Sequence, residues 1–327
     1  MMAKKILDLP TSRYQKLPAW LTILLCCLAI AVFIALEIFI TWILLAFFFM
    51  GQTFLNGEHI SSIDPFLKYF PNLHLELGLF VITILLSFAW VKWYEKRSIT
   101  SLGFFKKNWF KELLKGGGLG TFLLIISVGI VYLFGGLEFE RLDFSLSTIF
   151  YVLSLLPFWF IQGLAEEVLL RAWLLPIINK RSNLVMAIAI SSSLLSFLHW
   201  GDDLMTVFTL VGLILSGILI ALYMLKTDNI WGAAGLHGAW NFAQGNIFGI
   251  AVSGTYTGAS FLSFKTVVGA PEWVSGGAFG IEGSFLTSFI LLIAISILAW
   301  QLIREKTDEK AITDNQESFD IKQMWFS

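Results

Sequence analysis

Eight long apolar runs restrict what this chain can become more than any motif within it. They are Leu21–Met50, Leu73–Tyr94, Gly116–Phe134, Thr148–Pro176, Leu184–Trp200, Leu204–Leu225, Ile230–Val252 and Ser284–Ile303. Inside a bilayer no water meets backbone N–H and C=O groups, so a crossing segment must satisfy them itself, as an α-helix does. About 20 apolar residues suffice for one helical crossing. The runs therefore predict an all-α, polytopic membrane protein, a bundle of eight transmembrane helices. With 57% hydrophobic and 14% charged residues, the length of 327 counts helices rather than soluble domains.

Charge then orients the bundle. Eighteen Lys and Arg fall in the terminal segments and one set of connections, against three, Lys68, Arg141 and Lys265, in the other. Basic loops stay on the cytoplasmic side, so both termini are expected in the cytoplasm of a multi-pass cell-membrane protein. Lys4, Lys5, Arg13 and Lys16 precede a first run too long for a signal-peptide core, which is expected to remain as an anchor. Cys26 and Cys27 adjoin each other inside that run, which excludes a disulfide framework. A net charge of −1 predicts no nucleic-acid partner. The stretch Glu95–Lys111 mixes basic and aromatic residues and suits an anionic lipid surface.

Within the fourth run stands Gly163-Leu164-Ala165-Glu166-Glu167-Val168-Leu169-Leu170-Arg171. Charges at this depth are costly unless paired or hydrated, so they mark function by default. Adjacent helical residues point about 100° apart, and Glu166 and Glu167 cannot share one face. Glu167 lies four residues before Arg171, the favourable order for an ion pair. This reading makes Glu167 and Arg171 a structural pair and leaves Glu166, on the face of Gln162, as the working carboxylate.

Two further runs carry polar stripes. Ser192, Ser196 and His199 recur at i, i+4 and i+7, and so do His237, Asn241 and Gln244. Lipid cannot satisfy these groups, and one hydrated cavity lined by Gln162, Ser192, Ser196 and Gln244 as well as the ionisable residues is the economical expectation. A carboxylate and an imidazole facing one water can remove its proton, while a second imidazole and an amide can donate to an oxyanion. Such a kit suits amide hydrolysis without a covalent nucleophile. Glu166, His199 and His237 would also form a zinc ligand set. Asn241 on the helix of His237 is a poor zinc ligand, so a metal-free site is preferred, with zinc as the alternative. Glu37, alone in the first run, reads as an interhelical hydrogen bond. His74 and Glu76 read as solvated at a span's start, and Ser253–Gly283 as a glycine-rich outer connection able to serve as a flap.

Glu166-Glu167-x-x-x-Arg171, then His199, then His237-x-x-x-Asn241 after Asp228-Asn229-Ile230-Trp231, together resemble the intramembrane CAAX-processing and bacteriocin-processing endopeptidases, the CPBP or Abi group with its type II CAAX prenyl endopeptidases. The resemblance covers about 150–249. It implies an eight-helix bundle with a glutamic or metallo-dependent endopeptidase activity. Glu166 and His199 would activate water, His237 and Asn241 would form the oxyanion side, and Glu167 and Arg171 the structural pair. One departure is Leu195, where the family usually has Phe. The implied partners are the lipid bilayer and a peptide or protein substrate at the membrane; a non-catalytic immunity or scaffold protein of the same fold is the alternative. Three regions are expected: 1–145 with spans one to three, 146–252 as the catalytic core, and 253–327 with the outer connection, last span and tail.

Overall fold

The computed structural model describes residues 4–9, 17–56, 72–198 and 204–326, with the side chains of 49, 52, 53, 55, 56, 195, 198 and 309–326 outside the description. His199, the side chain of Leu195 and His59 therefore lie outside the described residues.

A short turn at Lys5–Leu7 leads to α1 (Ala19–Asn56), then α2 (Leu73–Leu79) and α3 (Val81–Ala89), which a wide π-turn prolongs to Tyr94. There follow α4 (Trp109–Leu133), strand β1 (Leu137–Leu142), and α5 (Leu146–Glu167), which runs through a second π-turn (Val168–Leu174) into α6 (Leu175–Arg181). Next come α7 (Leu184–Leu198), α8 (Val207–Thr227) and α9 (Ile230–Phe242), the last extended by a π-turn to Ile247. Strand β2 (Leu262–Thr266), the single turn α10 (Glu272–Ser275) and the long α11 (Phe285–Phe326) complete the order.

The architecture is all-α with an inside-out surface. Leu24, Val32, Phe39, Leu85, Phe122, Ile125, Leu292 and Ile297 are exposed on the flanks of α1, α3, α4 and α11, as lipid contact requires. Among the described residues six helical segments are long and apolar enough to cross a membrane, and they make this a multi-pass membrane protein. The sequence predicts eight. Within the described residues the fifth run forms a helix of 15 residues, and the seventh a helix of 13 that a π-turn prolongs to Ile247; neither is among the six. A tight reversal at Ser182-Asn183 precedes α7, and Gly249, at φ 66°, turns the backbone away soon after α9. The polar tail, expected to be loose, continues α11 as helix to Phe326.

Close approach of backbones locates α9. It packs most extensively on α4 and α5, and the contact depends on residues without side chains. A Cβ on Gly116 would lie 2.0 Å from Gly232 O, and one on Gly235 2.2 Å from Leu113 O. Small-residue faces of this kind allow helices to associate where no hydrophobic force separates protein from solvent. At the other end, the carboxylate of Asp228 accepts from the amides of Lys5 (3.1 Å) and Ile6 (3.0 Å). Ile6 is fully buried, so the residues before α1 strap the turn from which α9 starts.

The outer connections are better ordered than a loop reading implies. β1 and β2 pair antiparallel, Leu137 opposite Thr266 and Leu142 opposite Leu262, with an irregularity between Phe139 and Arg141. Asn246 pins the glycine-rich segment by donating to Thr257 O (3.3 Å) and Ala259 O (3.0 Å). Its Oδ1 accepts from Trp159 Nε1 on α5 at 2.7 Å. Glu37 accepts a hydrogen bond from Thr83, which joins α1 to α3 as the sequence predicts.

Candidate active site

Gly163 decides where the carboxylates stand. A Cβ there would lie 2.8 Å from Gly238 N and 3.3 Å from His237 Cβ, so only glycine lets α5 and α9 touch one turn from Glu166 and Glu167. Glu167 closes α5, and the chain then widens into the π-turn that carries Arg171. Such single-turn widenings recur at functional sites because they re-aim side chains without ending the helix.

Glu167 and Arg171 are both fully buried, with Arg171 Nε 3.3 Å from Glu167 Oε2 and Nη1 3.3 Å from Oε1. Glu167 has a second duty that i, i+4 spacing does not reveal: its Oε1 lies 2.8 Å from His237 Nδ1. An ionised carboxylate can only accept, so Nδ1 carries the proton and donates. That fixes the ring with Nε2 turned to Glu166 Oε2, 3.9 Å away. Side chains orient a catalytic imidazole in this manner when one nitrogen is tied and the other is left for chemistry. Both side chains reach the cavity, Glu166 being 21% and His237 12% exposed.

Glu166 is held from its other side. Gln162 Nε2 donates to Glu166 Oε1 at 2.5 Å, and Asn241 Nδ2 donates to Gln162 Oε1 at 2.9 Å. All four residues line one cavity of about 220 Å³, with Trp159, Leu219, Trp240 and Ser216 among its walls. Two acids that the sequence reading leaves outside the site also face it. Glu76, expected among headgroups, lines the cavity from α2, and Glu282 does so from the turn before α11. Glu282 Oε2 accepts from Gln244 Nε2 and from Ser253 N, each at 3.1 Å.

Not every predicted lining residue arrives. Ser192, Ser196 and Gln244 are buried but are not among the residues that line this cavity. Ser196 Oγ donates to Leu210 O at 3.1 Å, and Ser192 backs onto Gly217 of α8, so these serines serve the α7 to α8 contact. Gln244 stands behind the cavity wall, its Oε1 accepting from Trp240 Nε1 at 2.9 Å and its Nε2 donating also to Ala251 O at 2.6 Å. Of the zinc set, Glu166 and His237 face each other and His199 lies outside the described residues. Among the described residues no three His, Cys, Asp or Glu groups converge as a metal site.

Residues 148–243 match the family model described as Type II CAAX prenyl endopeptidase Rce1-like. No curated protein and no solved structure matches the chain.

Proposed function

Since residues 148–243 match the Type II CAAX prenyl endopeptidase Rce1-like family model, we propose that this membrane protein is an intramembrane endopeptidase in which Glu166 activates water. The observation that carries the reading is the convergence of Glu166, Gln162, His237 and Asn241 on one cavity, with His237 tied to Glu167 at 2.8 Å and turned to Glu166. A carboxylate so placed can take a proton from water while the oxygen attacks a peptide carbonyl. The negative charge that grows on the carbonyl oxygen meets the second N–H of Asn241 and, with Nδ1 already donating to Glu167, the Nε2–H of a doubly protonated His237. Glu166 then returns its proton to the departing amide nitrogen, the C–N bond breaks, and a carboxylate and an amine leave. His199 is proposed as a second imidazole on the attacking water, following the family motif.

Glu167 and Arg171 touch no substrate in this scheme. Arg171 pairs with Glu167 in a buried place, and Glu167 holds the His237 ring in one orientation through Nδ1. The proposed site is metal-free, because Asn241, a poor zinc ligand, shares the helix of His237. Were zinc bound, Glu166, His199 and His237 would hold it and it would polarise the water. The substrate is a peptide at the membrane; the family match gives no support to bacteriocin immunity. The proposed orientation has both termini in the cytoplasm, a reading that the distribution of basic residues supports. Purified protein incubated with a proteome-derived peptide library should release fragments detectable by mass spectrometry, and Glu166→Gln should abolish release. Undiminished cleavage by that variant would remove Glu166 from the reaction.

A further inference from the structure

The side-chain amide of Gln162 sits between two groups that the proposed reaction uses. It gives a hydrogen bond to Glu166 at 2.5 Å and takes one from Asn241 at 2.9 Å. The polarity of this relay has one solution. An ionised carboxylate offers only acceptors, so Gln162 must present its NH₂ to Glu166. Its carbonyl then faces α9, and Asn241 must answer with its own NH₂. Turning either amide over would set two acceptors or two donors against each other. Three side chains on two helices thus share one orientation, set from the Glu166 end.

The relay also divides the labour of each group. Glu166 has one oxygen held by Gln162, and the other, Oε2, remains toward His237 and the cavity. Asn241 uses one N–H on Gln162 and keeps the second. Gln162 itself is 8% exposed and lies one helical turn before Glu166 on α5, so its own backbone is fixed by the same glycine contact that fixes Glu166. A flexible carboxylate in a cavity samples several rotamers. A carboxylate with one oxygen tied samples few, and small displacements of a reacting group carry large rate penalties.

We propose that Gln162 is a positioning residue of the active site, aiming Glu166 Oε2 at the attacking water and turning the spare N–H of Asn241 toward the carbonyl oxygen. This rests on the endopeptidase reading, and the test separates the two. The best-cleaved library peptide, resynthesised with a fluorophore and quencher, serves as substrate for wild type, Glu166→Gln, Gln162→Met and Gln162→Asn. Met fills the same space without the relay; Asn keeps the amide but is too short to span both partners. Both Gln162 variants should lose roughly 10- to 100-fold in kcat with KM within about twofold of wild type. Wild-type kcat in Gln162→Met, beside an inactive Glu166→Gln, overturns the positioning role and leaves the protease reading standing. A raised KM with unchanged kcat does the same. Full turnover in Glu166→Gln instead defeats the protease reading. Independently of activity, an experimental structure of Gln162→Met should show the Glu166 carboxylate turned from its place, and an unmoved Glu166 overturns the proposal.

Discussion

Replacing Gly163 by alanine tests whether helix contact sets the chemistry. The new methyl would stand 2.8 Å from Gly238 N and 3.1 Å from Gly238 Cα, whereas ordinary contacts begin near 3.4 Å, so α5 and α9 must part by about 0.6 Å. The obstacle is backbone, which cannot rotate aside. Carried in full along the bond, that shift stretches the 2.8 Å link between His237 and Glu167 to about 3.4 Å, beyond the normal N–H···O range. Overpacking of this size costs about 1–3 kcal/mol in stability. A displaced catalytic pair can cost up to about 10²-fold in rate. Gly163→Ala should therefore remain folded in detergent with a lowered thermal midpoint, and its kcat on the quenched peptide should fall about 10- to 100-fold. Gly118→Ala is the control, since nothing lies within 4 Å of its methyl. A Gly163→Ala enzyme within twofold of wild type would refute the claim that this contact holds His237 and the glutamates in register, as would an equal loss in Gly118→Ala.

Other expectations follow from the same geometry. Arg171→Leu leaves Glu167 buried without its cation, a loss of about 3–5 kcal/mol, and should abolish recovery of monodisperse protein. The double variant Glu167→Leu/Arg171→Leu should restore recovery but not turnover, because His237 loses its acceptor; size-exclusion and cleavage assays read the two effects. Chelation with 1,10-phenanthroline should leave cleavage intact, and activity lost and then restored by zinc would reject the metal-free site. Asp143 lies outside the spans, and bonds from the Thr148 hydroxyl and from Ser145 hold its carboxyl below the usual range. Its contribution is present at and above ordinary carboxylate titration and disappears as pH falls through the depressed value. Thermal midpoints should decline in that acid window for wild type and less so for Asp143→Asn; equal slopes refute it. Asp228→Ala removes the acceptor of two amides, and hydrogen exchange at residues 5 and 6 should accelerate.

How much of this was legible in the sequence differs by element. Long apolar runs announce spanning helices because hydrocarbon leaves a chain no alternative. The pair Glu167 and Arg171 is readable because helical spacing is local. The bond from Glu167 to His237 is not, since it joins residues 70 apart in sequence through a glycine contact. Glu282 gave no local sign either: it reaches the cavity because the turn before α11 is wedged against Gly212, whose Cβ would lie 2.1 Å from Glu282 O. β1 was available to a closer reading. Leu137-Glu138-Phe139-Glu140 alternates with period two, as does Leu262-Ser263-Phe264-Lys265, and alternation marks strands. Ser192 and Ser196 show the converse, a polar stripe at helical spacing that serves a helix contact, through the Ser196 hydroxyl and the Cα and Cβ of Ser192.

The strap at Asp228 has a bearing on biosynthesis. Its two bonds join residues 223 and 222 positions apart, so residues 5 and 6 cannot find their seat until the segment through Asp228 has been made and inserted. Until then the turn at Asp228 lacks both amide partners. Docking of residues 5 and 6 is in that sense a late event, possible only once the turn that leads into the helix of His237 has been built.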